Sequence, residues 1–127
     1  MIQWFTDVAE QAETGRKSAV RAVQAWQYLI AKASNRQLVR YGELAELMGY
    51  SDNRPLSYIL GRIMDFCEIN KIPPLTLIVV NADGIPGNGF TAEDSVAYNR
   101  TREEVFAFQW FKIIPPTVEE YMQGHHK

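Results

Sequence analysis

Tyr41-Gly42-Glu43-Leu44-Ala45, Gly49, Ser51-Asp52-Asn53-Arg54-Pro55 and Leu75-Thr76-Leu77-Ile78-Val79-Val80 follow one another between Arg40 and Phe90, and their order decides the fold. Gly42 to Met48 places Leu44, Ala45, Leu47 and Met48 on a short helix; Gly49 breaks it and Ser51-Asp52-Asn53 supplies a turn. A second helix begins at Asn53 or Arg54. Pro55 suits its first turn, where a missing N–H costs nothing, and Leu56, Ile59, Leu60, Ile63, Phe66 and Cys67 recur at three and four. The other face carries Arg54, Ser57, Tyr58, Gly61, Arg62 and Asp65. Pro73-Pro74 stops the helix, and Leu75 to Val80 is an apolar, β-branched run of strand length. Asn81-Ala82-Asp83-Gly84 reads as a turn and Ile85-Pro86-Gly87-Asn88-Gly89-Phe90 as a loop or wing. Helix, turn, helix, strand and glycine-rich tip together predict a winged helix-turn-helix, within a fold that is mainly α with a small β element.

Outward from that core, Asp7 to Glu13 suits a short helix that Thr6 can cap, with Gly15 ending it. From Arg16 to Ser34, Val20, Val23, Trp26 or Gln27, Ile30 and Ala33 form an apolar stripe at helical spacing, leaving Arg16, Lys17, Arg21 and Lys32 for the wet side. Trp26 and Tyr28 read as core anchors. After the wing, Thr91-Ala92-Glu93-Asp94 has an N-cap pattern, and Thr101-Arg102-Glu103-Glu104 has the spacing of a capping box. The second introduces Val105 to Phe111, whose aromatics cover too much of a helix for one stripe and partly alternate like a strand; either way the segment is expected to be mostly buried. Pro115-Pro116 ends it, and the tail to Gly124-His125-His126-Lys127 is expected to fray or make one short turn. The division is N-terminal helices over 1–38, a winged-helix-like core over 39–90 and a helical, aromatic extension over 91–127, all in one domain.

A chain of 127 residues with 46% hydrophobic content can close one real core, not two. Neither a basic leader nor a long apolar run is present, so the expectation is a cytoplasmic protein without a membrane partner. The one cysteine, Cys67, cannot form an internal disulfide, which agrees with a reducing compartment. The net charge of −2 argues against coating nucleic acid by charge alone, yet the charges are unevenly placed. Residues 16–62 hold eight cations, Arg16, Lys17, Arg21, Lys32, Arg36, Arg40, Arg54 and Arg62, against Glu43, Glu46 and Asp52. That distribution suits one basic face, or ordinary solvated helix surfaces.

The Arg40–Phe90 stretch resembles the C-terminal DNA-binding domain of the alkylguanine-DNA alkyltransferases and their catalytically silent alkyltransferase-like relatives. The resemblance rests on Tyr41-Gly42-Glu43-Leu44-Ala45 followed by Gly49, on Arg54 just before the second helix, on Asn70 ahead of Pro73-Pro74, and on a hydrophobic strand leading to Asp83-Gly84. It covers about two-fifths of the chain. In that family the tyrosine helps turn a damaged nucleotide out of the duplex and the arginine fills the vacated space; the resemblance carries those roles onto Tyr41 and Arg54. Where the family has its Pro-Cys-His-Arg reaction centre, this chain has only Leu75 to Val80, and the segment from Asn70 to Gly84 is shorter.

Alkyl transfer needs a thiolate activated by a nearby base, and Cys67 falls on the buried face of a helix, so no enzyme activity is expected. Adjacent His125 and His126 lack partners at ligand spacing, and no metal or cofactor is expected. Gly84, Gly87 and Gly89 lack the Gly-Lys-Ser/Thr of a phosphate loop, and the neighbouring pairs Glu103-Glu104 and Glu119-Glu120 diverge too far for acid–base work. The leading expectation is a non-catalytic protein that docks its second helix on double-stranded DNA. Arg54, Ser57, Tyr58 and Arg62 would face base edges or phosphates, with Arg40 and Tyr41 against the backbone nearby. The rival is a protein–protein module, an adaptor, inhibitor or small subunit, that reuses a winged-helix shape. A sensor that flips a damaged base without reacting is a third possibility, implied by the resemblance.

Overall fold

In a computed structural model that describes residues 15–81 and 92–123, with side chains from Ser95 onward in the second stretch, the chain is mainly helical with one small sheet. The order is α1 (Arg16–Ser34), β1 (Val39–Arg40), α2 (Tyr41–Leu47), α3 (Leu56–Ile69), a 3₁₀ turn (Leu75–Ile78), β2 (Val79–Val80), α4 (Ala92–Ala107), a second 3₁₀ turn (Trp110–Lys112) and α5 (Val118–Gln123). The proposed Asp7–Glu13 helix, the Thr91 cap, the wing over 85–90 and the His125-His126 tail lie outside the described residues.

Helix α1 has the bounds that its spacing predicts, but its buried stripe is turned by about one residue. Ala19, Ala22, Ala25, Trp26, Leu29, Ile30 and Ala33 are buried, whereas Val20 and Val23 are half-buried and Gln27 is exposed. Alanines weigh little in a hydropathy pattern but let neighbouring helices approach, and here they form the inner face against α3, α4 and α5. Arg21 is a correction of the same kind. It is buried rather than wet, donating through Nε to the Tyr50 hydroxyl (3.0 Å), through Nη1 to Gln24 Oε1 (2.8 Å) and through Nη2 to the Met48 carbonyl.

The ends of α1, α2 and α3 share one device. A residue in the left-handed region turns the chain, and the next N–H reaches back to the final turn: Gln37 to Lys32 (2.9 Å), Tyr50 to Ala45 (2.9 Å) and Ile72 to Cys67 (3.0 Å). The turning residues are Arg36 (φ 58°), Gly49 (φ 83°) and Lys71 (φ 56°). Gly49 is the stop that its residue type announces; α3 ends at Ile69 through Lys71, ahead of Pro73-Pro74. Only two residues of the anticipated Leu75–Val80 strand are extended, because Leu77 N–H bonds to the Pro74 carbonyl (3.0 Å) and winds 75–78 into a 3₁₀ turn. What remains pairs in parallel with β1, Val39 opposite Val79 and Arg40 opposite Val80.

Thr101 does not begin a helix. It lies inside α4, its hydroxyl donating to the Ala97 carbonyl (3.0 Å), so the capping-box spacing is incidental. The aromatic segment after it splits: Val105 and Trp110 are buried, Phe106 and Phe108 half-buried, and Phe111 is 69% exposed. The core gathers around Trp26, whose ring meets Phe66 and Trp110 edge-on, each at 5.6 Å between centroids. Trp110 Nε1 donates to the Val105 carbonyl at 2.8 Å.

Cys67 is buried in this core, and burial pushes its thiol up to about 11. A native-state reaction with iodoacetamide at about pH 8 should therefore run at least roughly a hundredfold slower than in denaturant, limited by opening of α3. Labelling at the denatured rate would put the thiol at the surface.

Candidate nucleic-acid interface

Helix α2 starts at Tyr41 because Glu43 reaches back and accepts the Arg40 N–H (3.4 Å), a contact that favours a carboxylate in the first turn. Glu43 is fixed from the other side as well. The Tyr28 hydroxyl donates to its Oε2 and the Lys32 ammonium lies 3.6 Å from the same oxygen, so the Tyr28 hydrogen bond and the Lys32 charge hold its carboxyl below the usual range. Burial, helped by Glu43, pushes Tyr28 up to about 12. This network anchors the start of α2 on α1, and with it Arg40 and Tyr41.

A cleft of about 320 Å³ opens there, lined by Arg40, Tyr41, Gly42, Glu43, Asn53 and Asn81. It joins the start of α2 to the turn before α3 and to the end of β2. Arg40 is exposed and Tyr41 half-buried. Sequence reading missed Asn53 and Asn81, which are ordinary turn formers; their positions, one before Arg54 and one after Val80, were the available signal.

Beyond Asn53, Arg54, Ser57 and Tyr58 all stand exposed at the N-terminal end of α3, Tyr58 at 67%. No side chain caps this helix, and Ser57 Oγ donates to the Arg54 carbonyl (3.1 Å). Arg54 is not an open charge. Asp52 accepts its backbone N–H (2.9 Å), its Nε (3.2 Å) and its Nη2 (2.9 Å), and that pairing holds the Asp52 carboxyl below its ordinary range.

Arg62 does not belong to this face. It is 5% exposed and donates to three oxygens: Nε to Ser18 Oγ (2.7 Å), Nη1 to the Tyr121 carbonyl (2.7 Å) and Nη2 to the Gly15 carbonyl (3.0 Å). The reason is tertiary: α5 and the start of α1 pack against α3 and cover a position that lies one turn beyond exposed Tyr58. Gly15 meets the guanidinium closely enough that a Cβ there would collide with it, and its φ of 82° is left-handed. Arg62 is a structural tie between α1, α3 and α5.

The basic excess of residues 16–62 is mostly absorbed in the same way. Besides Arg21, Arg54 and Arg62, Arg16 pairs with Glu119 (3.6 Å), Lys32 with Glu43 (3.6 Å) and Arg36 with Glu103. All eight cations thus take part in interactions within the chain, so the uneven charge of the sequence does not translate into an open basic face. Among the described residues, no group of three or more His, Cys, Asp or Glu could hold a metal ion, and no helix is long and apolar enough to cross a membrane. Compared with known protein-family models, curated proteins and solved structures, the chain finds no match.

Proposed function

We propose that this protein is a non-catalytic DNA-binding protein of winged-helix type that sets the N-terminal end of α3 against duplex DNA. The observation that carries this reading is the polar strip of exposed Arg54, Ser57 and Tyr58, joined through Asn53 to the cleft that Arg40 and Tyr41 also line. The positive end of the α3 dipole favours a phosphate at that place, and arginine forks suit phosphate oxygens or guanine edges. The order α1, β1, α2, α3, β2 is compatible with a winged helix-turn-helix, and residues 85–90, read from the sequence as the wing, lie outside the described residues. Similarity to the alkyltransferase-like proteins supports the same reading, since Tyr41 and Arg54, the two positions it singles out, belong to this strip. Arg62 has no part in it.

Duplex binding followed by fluorescence anisotropy across a salt series tests the proposal. Arg40→Ala with Arg54→Ala should weaken binding at least about tenfold and lower the salt slope by about two, one for each phosphate contact removed. Unchanged affinity in that double variant would sink it.

A second reading, a protein–protein module, is favoured by two observations: most cations of the basic stretch are tied up internally, and Phe111 and Ile114 stand 69% and 87% exposed. Binding to a protein partner that survives high salt and is lost on Phe111→Ser would move the assignment to that class.

A further inference from the structure

Three hydrogen bonds from one residue to a carboxylate two positions earlier are more than a turn requires. Asp52 would complete the turn by accepting the Arg54 N–H alone (2.9 Å); it also takes Nε (3.2 Å) and Nη2 (2.9 Å) in a two-pronged grip. The grip draws the guanidinium back over the turn between α2 and α3. Arg54 remains 91% exposed and Asp52 43% exposed in their side chains, so the pair sits in water, where an ion pair is weak and a competing anion can enter.

Building on the DNA-binding reading, we infer that Asp52 is a positioning residue that parks Arg54, and that a duplex phosphate must displace its carboxylate before Arg54 can engage. Parking has two effects. It cancels most of the charge that Arg54 projects from the end of α3, which weakens attraction to any polyanion met at random. It also sets up a competition, since a phosphate that reaches Arg54 has to take the place of the carboxylate. The carboxylate therefore sets both the strength and the salt sensitivity of binding.

Asp52→Asn separates parking from the turn, because an amide oxygen still accepts the Arg54 N–H and keeps the turn while the negative charge is gone. A 20-base-pair duplex labelled with fluorescein is the probe, titrated by anisotropy over a salt series. Asp52→Asn should tighten binding by about three- to tenfold and steepen the salt slope by about one. In an Arg54→Gln background the same change should have an effect below about twofold, and Glu68→Gln, an equal charge change at the far end of α3, should likewise do little. Equal affinity of Asp52→Asn and wild type overturns the inference while leaving the DNA-binding reading in place. Equal tightening with and without Arg54 also overturns it, since that is charge alone. If neither wild type nor Asp52→Asn binds duplex at low salt, both the parking role and the DNA-binding reading fall; binding by Asp52→Asn that requires Arg54, with wild type silent, supports the inference.

Discussion

Arg62→Ala should destabilise the protein by about 3 kcal/mol or more, lowering the melting temperature by roughly 10 °C, because it removes a buried cation that serves three segments at once. A hydrogen bond from a charged group contributes about 1.5–3 kcal/mol, and here the Gly15 carbonyl, Ser18 hydroxyl and Tyr121 carbonyl all lose their guanidinium donor together. The contributions are not additive, and water entering the gap recovers part of the loss. Even so, the expected cost is a large share of the 5–15 kcal/mol that typically holds a domain together. Arg62→Lys should rescue little, since an ammonium cannot reproduce a planar fork aimed at three acceptors. Urea denaturation gives the free energy directly. A loss under about 1 kcal/mol would mean that Arg62 is not the tie described.

Trp26→Ala should cost about 3–5 kcal/mol, the range for removing a large aromatic from a close-packed interior. Trp26 is 1% exposed, and its indole meets both Phe66 and Trp110 in edge-on geometry. Its Nε1 has no hydrogen-bond partner among the described residues, so the loss is one of packing and not of a polar contact. Two edge-on aromatic contacts add about 0.5–1.5 kcal/mol each beyond the area buried. Trp26→Phe keeps an aromatic ring and most of the volume, and should cost less than half as much. Equal unfolding midpoints for wild type and Trp26→Ala would contradict a core centred on this residue.

The two substitutions also mark where a sequence can be read and where it cannot. Helix α1 was legible from Arg16 to Ser34, and the break at Gly49 from its residue type, because spacing and left-handed turns are local properties. Its inner face was not, since Val20 and Val23 outweigh Ala22 and Ala25 in hydropathy although the alanines admit the neighbours. Arg36 and Lys71 turn the chain left-handed without a glycine to announce it. At the candidate interface, Arg54, Ser57 and Tyr58 were legible as one exposed edge of α3. Arg21 and Arg62 were not, because what buries them comes from 29 and 59 positions away, Tyr50 in one case and Tyr121 in the other. Periodicity describes how many faces a helix has, not how many partners come to cover them.

The parallel pairing of Val39 with Val79 and Arg40 with Val80 has a kinetic consequence. It fastens both ends of a loop that contains α2, α3 and everything proposed to touch a ligand, so neither end can be held until residues forty positions apart have met. Closing such a loop carries an entropy cost before its contacts repay any of it, and chains rich in distant contacts fold more slowly than those rich in local ones. Helix α1 can form from neighbouring residues alone; the orientation of the two helices after it has to wait for that closure. Damage to the short ladder would therefore slow the docking of the two helices more than it would hinder their formation.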